Sequence, residues 1–205
     1  DTPDDIKDLV DALDAPNDSS NFLKFLGNDR ARYLDNNEFL KFYNKTIFEF
    51  IGQNITDNDV SLIVCGLKHK YNRIQDLNLG NNQIGVAGAK TIADALKDPY
   101  NNLRDLYMYN NQIGNDGARY LAEALKHEKN HLRILNLDGC EIGDSGAQAI
   151  ADALEHEDNK LISLTLGNNQ IKLAGVQALT GALEHEYNNL IYFDLYNNEI
   201  GDTGA

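Results

Sequence analysis

From Ile74 onward the chain repeats one arrangement of apolar and polar positions. An apolar pair separated by a single residue returns as Leu77/Leu79, Leu106/Met108, Leu135/Leu137, Leu164/Leu166 and Phe193/Leu195, every step being 29 residues. A spacing of two belongs to a strand, whose side chains alternate between faces. Later in each unit the period changes. Ala118, Leu121, Ala122 and Leu125 recur three and four apart, which places them on one face of a helix. The pattern therefore predicts one short strand and one helix per unit, with units starting at 74, 103, 132, 161 and 190, the last incomplete. A weaker copy precedes them: 29 residues before Leu77, Leu79, Ile84 and Leu96 stand Phe48, Phe50, Ile55 and Leu67. Lys45 to Arg73 reads as an atypical first unit, as terminal repeats are expected to be.

The polar positions are as regular. An asparagine follows each strand as Asn82, Asn111, Asn169 and Asn198, with Cys140 in the remaining copy. A side-chain amide there is able to bond backbone groups of its own turn and of the next coil, so a stack of such residues satisfies peptide groups that would be orphaned. An Ile-Gly pair comes next, with Ile171-Lys172 as the departure. Asp116, Asp144 and Asp202 stand near the predicted helix starts and are expected to cap them. The recurring Gly-x-x-Gly-Ala is a turn into a helix and not a phosphate loop.

Residues 1–44 lie outside the repeat. Ile6, Leu9, Val10 and Leu13 share a helical face, Phe22, Leu23, Phe25 and Leu26 form a second cluster, and Leu34, Phe39, Leu40, Phe42 and Tyr43 a third with Asp35-x-x-Glu38 as a capping box. We read them as a helical N-terminal cap on a repeat domain spanning 45–205. Ala205 falls inside a unit, so the natural chain is expected to continue.

The run L-x-x-L-x-L-x-x-N-x-I-G-x-x-G-A-x-x-L-A-x-A-L resembles the ribonuclease-inhibitor-like class of leucine-rich repeats, strongly over 74–205 and weakly over 45–73. Repeat domains of Ran GTPase-activating proteins, of nucleotide-sensing immune receptors and of effectors from intracellular bacteria such as Legionella are similar. The resemblance implies an α/β fold: a right-handed β-α solenoid, or horseshoe, with a parallel sheet on the concave face and helices on the convex face. Elementary dimensions give the same curvature, because parallel strands stack about 4.8 Å apart whereas packed helices need roughly 8–10 Å.

In such a coil the leucines point inward, and the third, fifth and seventh positions of each strand segment face the hollow. That face carries Asp76, Asp105, Tyr107, Tyr109, Asn136, Asp138, Tyr192, Asp194 and Tyr196, with Glu49 in the first unit, and no lysine or arginine at those positions. Tyrosines are rigid anchors at interfaces, and acids around them would steer a basic or mixed protein surface. Arg104 and Arg133 sit at the strand edge and are read as surface ion pairs.

Charge narrows the partners further. The net charge is −14, which disfavours nucleic acid and anionic membranes. Cys65 and Cys140 form no disulfide framework, consistent with a reducing, cytoplasmic setting, or a host cytosol for a secreted bacterial effector. The sequence predicts a monomer that binds a protein on its concave face and regulates an enzyme by covering its active site. A GTPase activator of the Ran type is the alternative, although no finger residue for it is identifiable. No catalytic residue, metal or cofactor is expected. His127-Glu128-Lys129-Asn130-His131 spells the H-E-x-x-H zinc motif, but it falls where a helix ends. His127, His156 and His185 share that register, so the motif reads as a drifted copy of a helix-end segment whose histidines favour a helix C-terminus.

Overall fold

The computed structural model describes residues 46–68 and 73–201. The expected cap over 1–44 lies outside them, as does Asp202. Strands and helices alternate: β1 Ile47–Glu49, α1 Asp57–Leu67, β2 Asp76–Asn78, α2 Val86–Leu96, β3 Asp105–Tyr107, α3 Gly114–Leu125, β4 Ile134–Asn136, α4 Asp144–Leu154, β5 Ser163–Thr165, α5 Leu173–Leu183 and β6 Tyr192–Asp194. The strands form one open parallel sheet in chain order, β1 to β6. Register never slips. Phe48 pairs with Leu77, Leu77 with Leu106, Leu106 with Leu135, Leu135 with Leu164 and Leu164 with Phe193.

One core runs the length of the stack. The central leucines, the following Leu79, Met108, Leu137 and Leu166, and the helix residues Ile92, Leu121, Ile150 and Leu179 are all buried in it. Each helix packs on the next. Alanine at 89, 118 and 147 keeps those helix contacts close, since a larger side chain at each buried position has no room.

The asparagine ladder is present, but it reaches back to the preceding coil and not, as expected, on to the next one. Asn111 accepts the Ile84 amide at 2.9 Å and donates to the carbonyls of Leu79 and Met108 at 2.9 and 2.8 Å. Asn82, Asn169 and Asn198 repeat this geometry, accepting from Ile55, Ile142 and Ile171. One side chain thereby fastens its own turn to the preceding coil. The asparagine before it has a separate task. Asn81, Asn110, Asn168 and Asn197 adopt φ of 51–56°, with Gly52 and Gly139 in the same register at 66° and 62°. Asparagine is among the few residues that tolerate this left-handed region, and every coil adopts it at this position.

Cys140 breaks the pattern. Its thiol donates to the Met108 carbonyl at 3.2 Å, but sulfur is a weak acceptor and gives Ile113 no counterpart of the Asn oxygen. The backbone there reorganises: Gly114 has φ +62° and donates instead to the Cys140 carbonyl at 2.9 Å. α3 accordingly begins with Ile113 as a helical N-cap residue, unlike the extended N-caps of α2, α4 and α5. Burial holds the thiol almost permanently protonated, pushing it up to about 12.

The capping aspartates serve other helices than expected. Asp144 lies in the first turn of α4, yet its Oδ1 accepts the amides of Lys172 and Gly175 at the start of α5, at 2.7 and 2.9 Å. Asn115 does the same for Gly143 and Gly146, and Asp57 accepts from Gly85. Each cap thus crosses to the following coil. Val86 holds this register before α3 and has no polar group to offer. Asp116 caps nothing and pairs with Arg119 at 2.9 Å on the surface.

A second asparagine series closes the helix ends. Asn101, Asn130 and Asn188 donate to the carbonyls of Leu96, Leu125 and Leu183 and accept the amides of Leu103, Leu132 and Leu190. Asn111→Ala removes bonds from both coils at a buried site, and it is expected to destabilise the chain by about 3 kcal/mol. Urea denaturation checks this. A loss below about 1 kcal/mol means that water replaces the side chain there and the ladder is dispensable.

Candidate functional site: the exposed sheet face

The in-register sheet brings the nine proposed contact residues to one face in three rows. The first row holds Asp76 and Asp105, paired directly across β2 and β3, and ends at Tyr192. The second holds Tyr107, Asn136 and Asp194. The third, just past the strands, holds Tyr109, Asp138 and Tyr196. Alternation puts the leucines of the same strands inside, at 0–1% exposure from Leu77 to Leu164, while these residues are half-buried or exposed.

They are not equally free to meet a partner. Tyr109 lies flat over Gly80 of the neighbouring coil, and Tyr196 over Gly167; a Cβ on either glycine would collide with the ring. One face of each ring is therefore spent within the sheet. Tyr196 is still 50% exposed, and its hydroxyl accepts a close hydrogen bond from the Asn168 amide. Tyr192, at 54% exposure, and Tyr107 have no such glycine beneath them. The Tyr192 hydroxyl donates to Asp194 Oδ2 at 3.3 Å.

Several polar groups also hold their own backbone. Asn136 accepts the Asp138 amide at 3.0 Å, and Asp194 the Tyr196 amide at 2.9 Å. Asp138 accepts the Gly167 amide at 2.8 Å from the next coil. These bonds hold one oxygen of each carboxylate, and the second oxygen of Asp194 accepts from Tyr192.

The acids carry electrostatic tension. Burial pushes the Asp105 carboxyl above its ordinary range, Asp76 beside it adds to the rise, and Arg133 and Arg104 only partly oppose it. Burial likewise raises Asp138, against the Gly167 amide. Tyr107 is raised by burial and then by Asp105 and Asp76. A surface that concentrates like charge at a cost to its own stability is a candidate for recognition.

Arg104 and Arg133 do not form the surface ion pairs expected of them: among the described residues no carboxylate lies within ion-pair distance of either. The zinc-type motif has no helix to stand on. α3 ends at Leu125, before His127 and His131. His127, His156 and His185 instead accept the amide two residues on through Nδ1, at 3.2, 3.2 and 3.4 Å, so the histidine register shapes a turn. Among the described residues no helix is long and apolar enough to cross a membrane.

A folded pKa above the unfolded one means that the native state binds the Asp105 proton more tightly. Its contribution to stability is lost as pH rises from the ordinary aspartate value to the raised one. Asp105→Asn is therefore expected to be more stable than the native chain near pH 7, with the gap closing near pH 3, where both carry a neutral group. Urea midpoints at the two pH values check this; an Asn variant that is less stable at neutral pH contradicts it.

The Leucine Rich repeat family matches residues 72–93, 101–122 and 128–151. No curated protein matches the chain. Among solved structures, an internalin from Listeria monocytogenes is similar over 82% of this chain, with 22% identity and a TM-score of 0.48. The chain spans only 40% of that structure's length. The six strands in unbroken parallel register, each but the last followed by a helix, make the chain a β–α solenoid, and the segments matched by the Leucine Rich repeat model lie within it.

Proposed function

We propose that this chain is a protein-interaction module that seats its partner on the exposed sheet face. The observation that carries this reading is the convergence of aromatic rings and strained carboxylates on successive strands of a rigid sheet. Tyr192 is its most exposed ring, and Tyr107 is a half-buried ring with no glycine beneath it. Asp76 and Asp105 form the most concentrated charge, and Asp138, Asp194 and Asn136 extend it along the stack. Tyr109 and Tyr196 offer their outer faces.

The fitting partner has a basic or mixed surface. Its cations would relieve the repulsion between Asp76 and Asp105, so binding and local relaxation act together. Tyrosine supplies buried area at low entropic cost, since few torsions must be frozen. A partner that inserts a protruding segment into the hollow has the geometry needed to lose access to its own active site, and this supports regulation of an enzyme by occlusion. One strand and one helix in each of the first five 29-residue coils support the ribonuclease-inhibitor type within the repeat class.

The test is affinity capture from a reducing extract followed by mass spectrometry, with the captured protein then titrated in purified form. Tyr107→Ala combined with Tyr192→Ala is expected to weaken that binding by at least about tenfold, because central aromatic truncations cost 2 kcal/mol or more. Both rings are partly exposed, so the fold is expected to survive, and circular dichroism verifies it. Undiminished binding by the double variant refutes the assignment of this face.

A further inference from the structure

An open cavity of about 500 Å³ lies at the edge where the chain enters β3 to β5, lined by Arg104, His131, Arg133, Asn159, Lys160 and Ile162. In a chain of net charge −14, three cationic side chains and a histidine around one hollow invert the overall composition. The repeat register assembles them. Arg104 and Arg133 hold the same position in successive coils, and the Arg133 amide donates to the Arg104 carbonyl at 2.6 Å. His131 and Lys160 hold another shared position, two residues before Arg133 and Ile162.

Like charges on neighbouring strands repel, and among the described residues no carboxylate stands within ion-pair distance of either arginine. The ion pairs present use other cations. Asp105 lies within electrostatic range of both arginines, but its carboxyl is raised despite them. Lys160 Nζ donates to the carbonyls of Asn130 and Glu128 at 2.7 and 3.1 Å, which anchors the ammonium without cancelling its charge. Asn159 adds a separate irregularity. It is 2% exposed, and its Nδ2 has no hydrogen-bond partner, whereas the equivalent amides of Asn101, Asn130 and Asn188 each have one. An orphaned buried donor is uncommon and asks for an explanation.

We propose that this cavity binds a phosphomonoester dianion, held by the guanidinium groups of Arg104 and Arg133 with Lys160 completing the positive wall and His131 beside it. A carboxylate carries one charge and is satisfied by a single guanidinium fork, leaving the remaining cations uncompensated. A dianion with three terminal oxygens matches two forks and an ammonium. Ile162 gives the organic part of the ester an apolar contact. Burial, and then Lys160, Arg104 and Lys129, hold the His131 imidazole below its ordinary pKa. A bound dianion opposes those charges and favours the protonated ring, so His131 reports occupancy directly. The site stands apart from protein capture on the sheet face and does not depend on it.

The experiment follows the His131 imidazole of the full chain by NMR while phenyl phosphate, inorganic phosphate or benzoate is added at constant ionic strength. Phenyl phosphate is expected to shift the resonance saturably and to raise the His131 titration midpoint by about one unit. Inorganic phosphate should do so more weakly, and benzoate should not. Arg104→Gln with Arg133→Gln, both exposed and free of ion pairs, should weaken phenyl phosphate binding at least about tenfold with the denaturation midpoint retained. No saturable shift, an equal response to benzoate, tighter binding of inorganic phosphate, or undiminished binding by the double variant each overturns the proposal.

Discussion

Every coil of this solenoid must bury the peptide groups of the turn that follows its strand. Those groups have no helix or sheet partner, and leaving them unbonded costs about 1–3 kcal/mol apiece. In four of the six coils Asn82, Asn111, Asn169 and Asn198 resolve the problem with one side chain each, bonded at once to its own turn and to the coil before. The step between coils is consequently fixed by hydrogen bonds as well as by leucine packing. A strand shifted by one residue would turn its leucines outward and lose these bonds as well.

The exposed face inherits that precision. Its side chains stand on strands whose neighbours cannot slide, so Asp76 stays opposite Asp105, and Tyr109 stays over Gly80. The same regularity makes charge accumulate: one acidic position repeated in adjacent coils becomes a carboxylate pair, and one basic position repeated becomes a pair of arginines. The two accumulations lie side by side at positions Arg104 and Asp105, where the arginines oppose the rise of the Asp105 carboxyl and burial with Asp76 outweighs them. The molecule thus presents an acidic aromatic sheet bordered by a basic hollow, in place of the uniformly acidic surface its composition suggests.

Much of this was legible in the residues. The apolar pairs returned every 29 positions, so strand register, core leucines and the inner asparagines followed from sequence alone. What escaped were relationships between coils. Asp144 looks like a cap for α4 because it is adjacent in sequence, but the amides it serves are 28 and 31 residues on. Tyr109 and Tyr196 read as free rings until the glycines one coil earlier, Gly80 and Gly167, are set beside them. A large side chain following glycine at the same repeat position was the available signal. The asparagines at the helix ends were hidden in the H-E-x-x-H string, and the basic cavity was missed because only the outward strand positions were compared. The helices proposed over 1–44 fall outside the described residues.

Cys140 offers a natural control on the central claim, since it places a thiol where the other coils carry an amide. Amide hydrogen exchange of Ile84, Ile113 and Ile142 measures the ladder bond by bond. The Ile84 and Ile142 amides, bonded to Asn111 and Asn169, should exchange slowly, while Ile113, facing the thiol, should exchange markedly faster. Equal protection of all three would contradict the account, because the coils would then be held in step without the asparagine oxygen.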